Sequence, residues 1–175
     1  MHRQQYKISI HLSAFVTFVG MICFLASCTT VNTHRLYEGQ QLSDDKIALL
    51  ISKGDTILVH SVDGMKSPDG KETYGPSKFE LLPGNHTLIV SFRRDFAVER
   101  GRAIIYYRSS STNNLVVRVG TEAGHTYLLT SQRDDERQEW YAVVMDETQK
   151  RKIVEEGPQP YNTVQTYVVT PPTGR

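Results

Sequence analysis

The sequence predicts an all-β fold: a single antiparallel β-sandwich, preceded by a leader and one short helix and followed by an extended tail. Three observations predict it. From His86 onward the pattern has period two, with His86, Leu88, Val90 and Phe92 on one face and Thr87, Ile89, Ser91 and Arg93 on the other. Turn signals recur every ten or so residues. No helical pattern of ten residues occurs after residue 52.

The elements follow in order. Residues 1–27 read as a secretory leader: Arg3 and Lys7 supply a basic start, Ile8 to Phe24 is apolar, and no Asp or Glu occurs. Residues 28–35 read as a polar tether, and residues 36–156 as the β-domain. Ser43-Asp44-Asp45-Lys46 before Ile47 to Ile51 has helix-entry character, a serine cap followed by acids in the first turn. Gly54 stops that helix or turn early. Thr56 to Val62 is β-rich and ends at Asp63-Gly64, a hairpin signal. Met65 to Ser77 reads as a loop. Phe79 to Leu81 leads to the turn Pro83-Gly84, where proline sets φ and glycine supplies the positive φ. Ala103 to Tyr107, Leu115 to Val119, His125 to Thr130 and Trp140 to Met145 are further strands. Residues 157–175, rich in proline, read as an extended or disordered tail in which Val164 to Val169 is a candidate edge strand.

Charge and cysteine count narrow the function. The 175 residues carry 20 Lys+Arg and 19 Asp+Glu, a formal charge of +1. That balance excludes a strongly basic nucleic-acid binder and an acidic solvating tail. Beyond residue 27 there are 18 basic against 19 acidic residues, so the remaining chain is near −1. Two cysteines cannot build a zinc ribbon or a dense disulfide scaffold. The sequence holds no G-x-S-x-G, no H-E-x-x-H, no Walker loop and no EF-hand pattern. No catalytic residue and no cofactor are therefore assigned, and a non-enzymatic protein is expected.

Leu25-Ala26-Ser27-Cys28 resembles the bacterial lipobox. The resemblance implies cleavage before Cys28 and diacylation of its thiol, because that chemistry needs a thiol nucleophile after small side chains. One acyl chain anchors only marginally, so the several chains of a lipidated cysteine make a stable attachment. Thr29, where aspartate would signal inner-membrane retention by the enterobacterial rule, implies the outer membrane. Cys23 departs with the leader, leaving no free thiol for redox or Cys-His chemistry.

Three groups of side chains are candidates for binding. Arg93, Arg94, Arg100, Arg102 and Arg108 lie among Phe92, Phe96, Tyr106 and Tyr107. Arginine forks bind phosphate or carboxylate and stack on aromatic faces, so an anionic envelope polymer or an envelope protein is the expected partner. The competing reading is a solvated strand pair laced by Asp95 and Glu99. His60, His86 and His125 would hold a metal only if the fold gathers them, since each lacks a second ligand at local spacing. The ring of His86 or His125 is otherwise placed to satisfy a turn carbonyl. A small-molecule or metal carrier using these histidines is the alternative function. Trp140 and Tyr141 point to opposite faces of a strand, so one faces the core.

Leu81-Leu82-Pro83-Gly84-Asn85-His86-Thr87-Leu88-Ile89-Val90 resembles the Leu-x-Pro-Gly-x-His-x-Leu-x-Val signature of PEGA-type, prealbumin-like β-sandwich modules. With Leu36-Tyr37-Glu38-Gly39 and Ala123-Gly124-His125-Thr126-Tyr127, the chain resembles small Gram-negative lipoproteins of uncharacterised function. The resemblance implies a sandwich fold and an envelope address, and it supplies no catalytic residues.

Overall fold

The computed structural model describes residues 31–54, 56–66 and 76–169. The leader, Cys28 and most of the loop before Ser77 lie outside the described residues. About 70% of the described residues are strand and none is α-helical. The strands are β1 (Asn32–Arg35), β2 (Ala48–Ser52), β3 (Ile57–Val62), β4 (Met65–Lys66), β5 (Ser77–Leu81) and β6 (Gly84–Arg100). They continue with β7 (Ala103–Ser111), β8 (Leu115–Thr121), β9 (Thr126–Asp134), β10 (Glu139–Asp146) and β11 (Arg151–Val169).

All eleven join one curled sheet in the order β1-β5-β2-β9-β10-β11-β7-β6-β3-β4, with β8 on β6. Strand twist of constant hand lets a sheet this wide turn its two arms toward each other. Both arms feed a single hydrophobic cluster. Leu50, Phe79, Leu81, Tyr127, Leu129, Trp140 and Val144 come from one arm, and Ile57, Val59, Val62, Leu88, Val90, Phe92, Val117 and Val119 from the other. Each such side chain contributes ~1.5–3 kcal/mol when fully removed from water. The alternation read in β6 is the observed one, with Leu88, Val90 and Phe92 buried. In β8 it is stricter still: Leu115, Val117, Val119 and Thr121 are buried and the residues between them exposed.

The turns form as their residues dictate. Asp63 and Gly64 take φ of 50° and 78°, the paired positive values of a tight hairpin joining β3 to β4. Gly157 has φ of 137°, and a Cβ there would lie 2.9 Å from the Trp140 carbonyl oxygen and 3.0 Å from Cδ1 of Tyr141. Only glycine lets β11 approach β10 that closely.

Three expectations are corrected, and one pair of alternatives, for the tail, is decided. The helix expected after Ser43 is a three-residue 3-10 turn, Asp44–Lys46, and Ala48–Ser52 is strand. An apolar run of that length fits either state, and backbone pairing with both β5 and β9 decides it. The tether is partly structured: Asn32–Arg35 pair with β5, and the His34 ring stacks on Phe79 at 5.3 Å. The sheet is not wholly antiparallel, since β1–β5 and β2–β9 are parallel pairs closed by long connections. Finally, the strand β11 continues through residue 157 to Val169. Pro158 sits where the register of β10 and β11 shifts, so no ladder hydrogen bond is asked of it.

Two strands change neighbours along their length. Residues 88–92 of β6 pair with β3 and residues 84–90 with β8, whereas residues 93–100 pair with β7. Residues 151–160 of β11 pair with β10, whereas residues 161–169 pair with β7. The distal halves of β6 and β11 thus form, with β7, a three-stranded ribbon that leaves the core cluster. As expected, Val164–Val169 lie on its edge.

Candidate anion-binding cleft

The five arginines are divided by strand parity. Arg93 and Asp95 share one face of β6, and the cross-strand partners Ser110 and Arg108 share it with them. Arg94 lies on the other face, its guanidinium 5.1 Å from the Phe96 ring centroid, and Phe96 stacks on Tyr107 at 5.4 Å. Arg100 and Arg102 flank Gly101 at the exposed hairpin tip. Hence the fold brings together Arg93 and Arg108 only.

Asp95 joins that pair. Its carboxylate accepts from Arg108 through Nε at 2.7 Å and Nη2 at 3.3 Å, and from Arg93 Nη2 at 3.1 Å. The Arg108 hydrogen bond foremost, with Arg93 assisting against partial desolvation, holds the Asp95 carboxyl below the usual carboxylate range. Asp95 is half-exposed, so the pair orders side chains more than it stabilises the fold.

Beside this triad lies an open cleft of about 500 Å³, lined in β6 by Ser91, Phe92 and Arg93. Its walls are Leu58 and His60 of β3, Ser91 and Arg93 of β6, and Arg108, Ser110 and Ser111 of β7. Thr112, Asn113 and Asn114, which link β7 to β8, close one end. His60 Nε2 is 2.7 Å from Ser91 Oγ, and Ser111 Oγ accepts from the Phe92 amide at 3.1 Å. Residues 109–114 lie between the two strands expected at Ala103 to Tyr107 and Leu115 to Val119, and no binding role is expected of them from sequence. The available signal was parity, since Ser91 and Arg93 alternate with Phe92 and must share the outer face.

The histidines occupy three separate settings. His86 donates from Nε2 to the Leu82 carbonyl at 2.8 Å, the turn carbonyl anticipated for it, and its Nδ1 is 2.6 Å from Asp63 Oδ2. Burial works to raise the Asp63 carboxyl, but His86 and the Thr87 amide outweigh it and leave the group below its ordinary value. His125 Nδ1 lies 3.0 Å from Asp146 Oδ2. Asp146 is buried and also accepts from the Thr148 and Gln149 amides; these contacts overcome the desolvation and hold its carboxyl low. No three His, Cys, Asp or Glu side chains among the described residues are grouped to hold a metal ion. Of the adjacent aromatics, Trp140 is the core residue and Tyr141 is half-buried.

Tyr161 marks the point where β11 leaves the core. Its ring packs 5.2 Å from Phe92, and its hydroxyl donates to Asp135 at 2.6 Å. Burial, reinforced by that carboxylate, pushes the Tyr161 hydroxyl up to about 12. Beyond it, Tyr106 and Tyr167 stack at 4.3 Å, and Val98, Val164, Tyr167, Val168 and Val169 are exposed.

Comparison with protein-family models, with curated proteins and with solved structures found no match.

Proposed function

We propose that this chain is an envelope lipoprotein, cleaved before Cys28, acylated there and held at the periplasmic face of the outer membrane as a non-enzymatic adaptor or binding module. The observation that carries the reading is Leu25-Ala26-Ser27-Cys28 at the end of a basic and then apolar leader. The scaffold is read as a PEGA-like sandwich, because the two arms of the sheet share one core cluster and Pro83-Gly84 launches β6. Binding is assigned to the ribbon and its base. Five exposed large apolar residues and five arginines concentrate there, a composition suited to an anionic partner carrying some apolar surface.

Fractionation tests the anchor. Cys28→Ala should move the protein from the membrane pellet to the soluble fraction, and an unchanged distribution defeats the lipid attachment. Replacing Arg100 and Arg102 with Ser should weaken capture of envelope polymers or proteins in a salt-titrated pull-down. Unaltered capture would reduce the tip to a solvated turn.

A further inference from the structure

We infer that the outer edge of the ribbon, residues 162–169 of β11, pairs with the same segment of a second copy of this chain, antiparallel and about a two-fold axis. The inference goes beyond the envelope reading and does not depend on it.

The edge is open. β10 lies on one side of β11 and β7 on the other. The Tyr161 amide donates to the Gln138 carbonyl at 3.0 Å, the last backbone bond on the β10 side among the described residues. From residue 162 to Val169 the strand pairs with β7 alone among the described strands, so a row of backbone groups faces outward.

Edges of this kind are ordinarily guarded by charge, by proline or by shortness. The ribbon's other edge follows that rule: residues 94–100 of β6 include Arg94, Asp95, Glu99 and Arg100. Residues 162–169 break it. They contain no charged residue, no proline and no glycine, and six of the eight are Thr, Val or Tyr, types that favour strands. One bulge, between Gln165 and Tyr167, bends the strand. There the Thr166 hydroxyl turns to the Tyr106 carbonyl of β7 rather than outward.

The side chains decide what fits this edge. Val164, Tyr167 and Val169 share the face of Tyr106, Val168 shares that of Tyr107, and all four are exposed. A partner laid on one face would leave the other in water. A strand added at the edge sets cross-strand neighbours against both. The neutral segment offers a charged peptide nothing to pair with. Its own copy meets it without like-charge opposition and brings β-branched and aromatic side chains opposite one another. Two-fold pairing uses up both open edges, and the charged edge of β6 does not extend it, so assembly closes at two chains. Eight residues make an interface below the ~1,200 Å² of stable complexes, so association should depend on concentration.

Sedimentation equilibrium of the full-length protein in density-matched detergent tests the pairing. The mass should rise with protein concentration from one chain to two. Gln165 is exposed and central to the segment, so near the axis it meets its own copy. Gln165→Lys and Gln165→Glu should each raise the concentration of half-association at least tenfold, with unchanged circular dichroism. An equimolar mixture of the two variants should restore it to within about threefold of the parent, because opposite charges then face each other. Val98→Lys, on the other edge, should change nothing. A single-chain mass up to about 0.5 mM overturns the inference. So does association indifferent to Gln165→Lys, as a shared micelle would produce, and so does a mixture that fails to restore it. Loss of association in Val98→Lys, or masses beyond two chains, would overturn the choice of edge and closure at two. Each of these results leaves the Cys28 fractionation experiment unaffected, so the anchor and the pairing fail separately.

Discussion

The two halves of β6 are one continuous strand with opposite physical settings. In residues 84–92, β3 and β8 flank the strand and the facing arm covers it, so Leu88, Val90 and Phe92 are buried while their neighbours are not. Residues 94–100 pair with β7 alone among the described strands, and none of them belongs to the core cluster. Sequence responds at once. Alternation gives way to Arg93-Arg94-Asp95-Phe96-Ala97-Val98, which puts charge and apolar surface on both faces. The difference teaches that period-two patterning reports a covering layer rather than strandness itself. A strand without such a layer keeps its backbone ladder and loses its pattern.

The comparison can be broken by substitution. Trp140→Ala, in the covered region, removes a fully buried ring that stacks on Phe92 at 5.8 Å. It should cost ~3–5 kcal/mol in urea unfolding. A loss near that of an exposed residue would contradict the single shared core. Tyr161→Phe, at the joint, deletes one hydrogen bond to a largely exposed carboxylate and should cost about 1 kcal/mol. Its pH dependence is more telling. The folded hydroxyl titrates near 12 against 10 for the ordinary group. Its stabilising effect is therefore whole below about pH 10 and disappears as pH rises through about 12. Unfolding midpoints measured between pH 9 and 12 should fall more steeply for the parent than for Tyr161→Phe. Parallel curves would remove Tyr161 from the joint. Tyr167→Ala, on the ribbon, should cost only about 0.5 kcal/mol, because an exposed stacked pair gains little beyond its ring contact. A cost of several kcal/mol would mean that the ribbon is part of the folding core.

Much of this fold is legible in the sequence where the chemistry is local. Asp63-Gly64 and Pro83-Gly84 announce their turns, and Leu88, Val90 and Phe92 announce the buried face. What is illegible depends on distant partners. Ala48 to Ile51 becomes strand because β5 and β9, far along the chain, flank it. Gly157, Pro158 and Pro160 look like the end of ordered structure, yet a register shift absorbs them and β11 continues. The cleft was hidden for the same reason. Arg93 and Ser91 can be placed on one face by counting, but only the long-range β3–β6 register brings His60 beside them. The histidines divide the same way: His86 meets the nearby Leu82 carbonyl, whereas His60 and His125 meet Ser91 and Asp146 across the sheet.

The shared strands also decide how the molecule carries load. β6 and β11 each pass unbroken from the core arms into the ribbon. A pull on the ribbon along its strands is therefore resisted by three ladders in shear, β6 with β3 and with β8 and β11 with β10, rather than by bonds opened one at a time. Tension applied there arrives at Phe92 and Tyr161, the two rings packed against each other where the strands leave the core. What takes hold of the ribbon therefore pulls on strands that are also strands of the core.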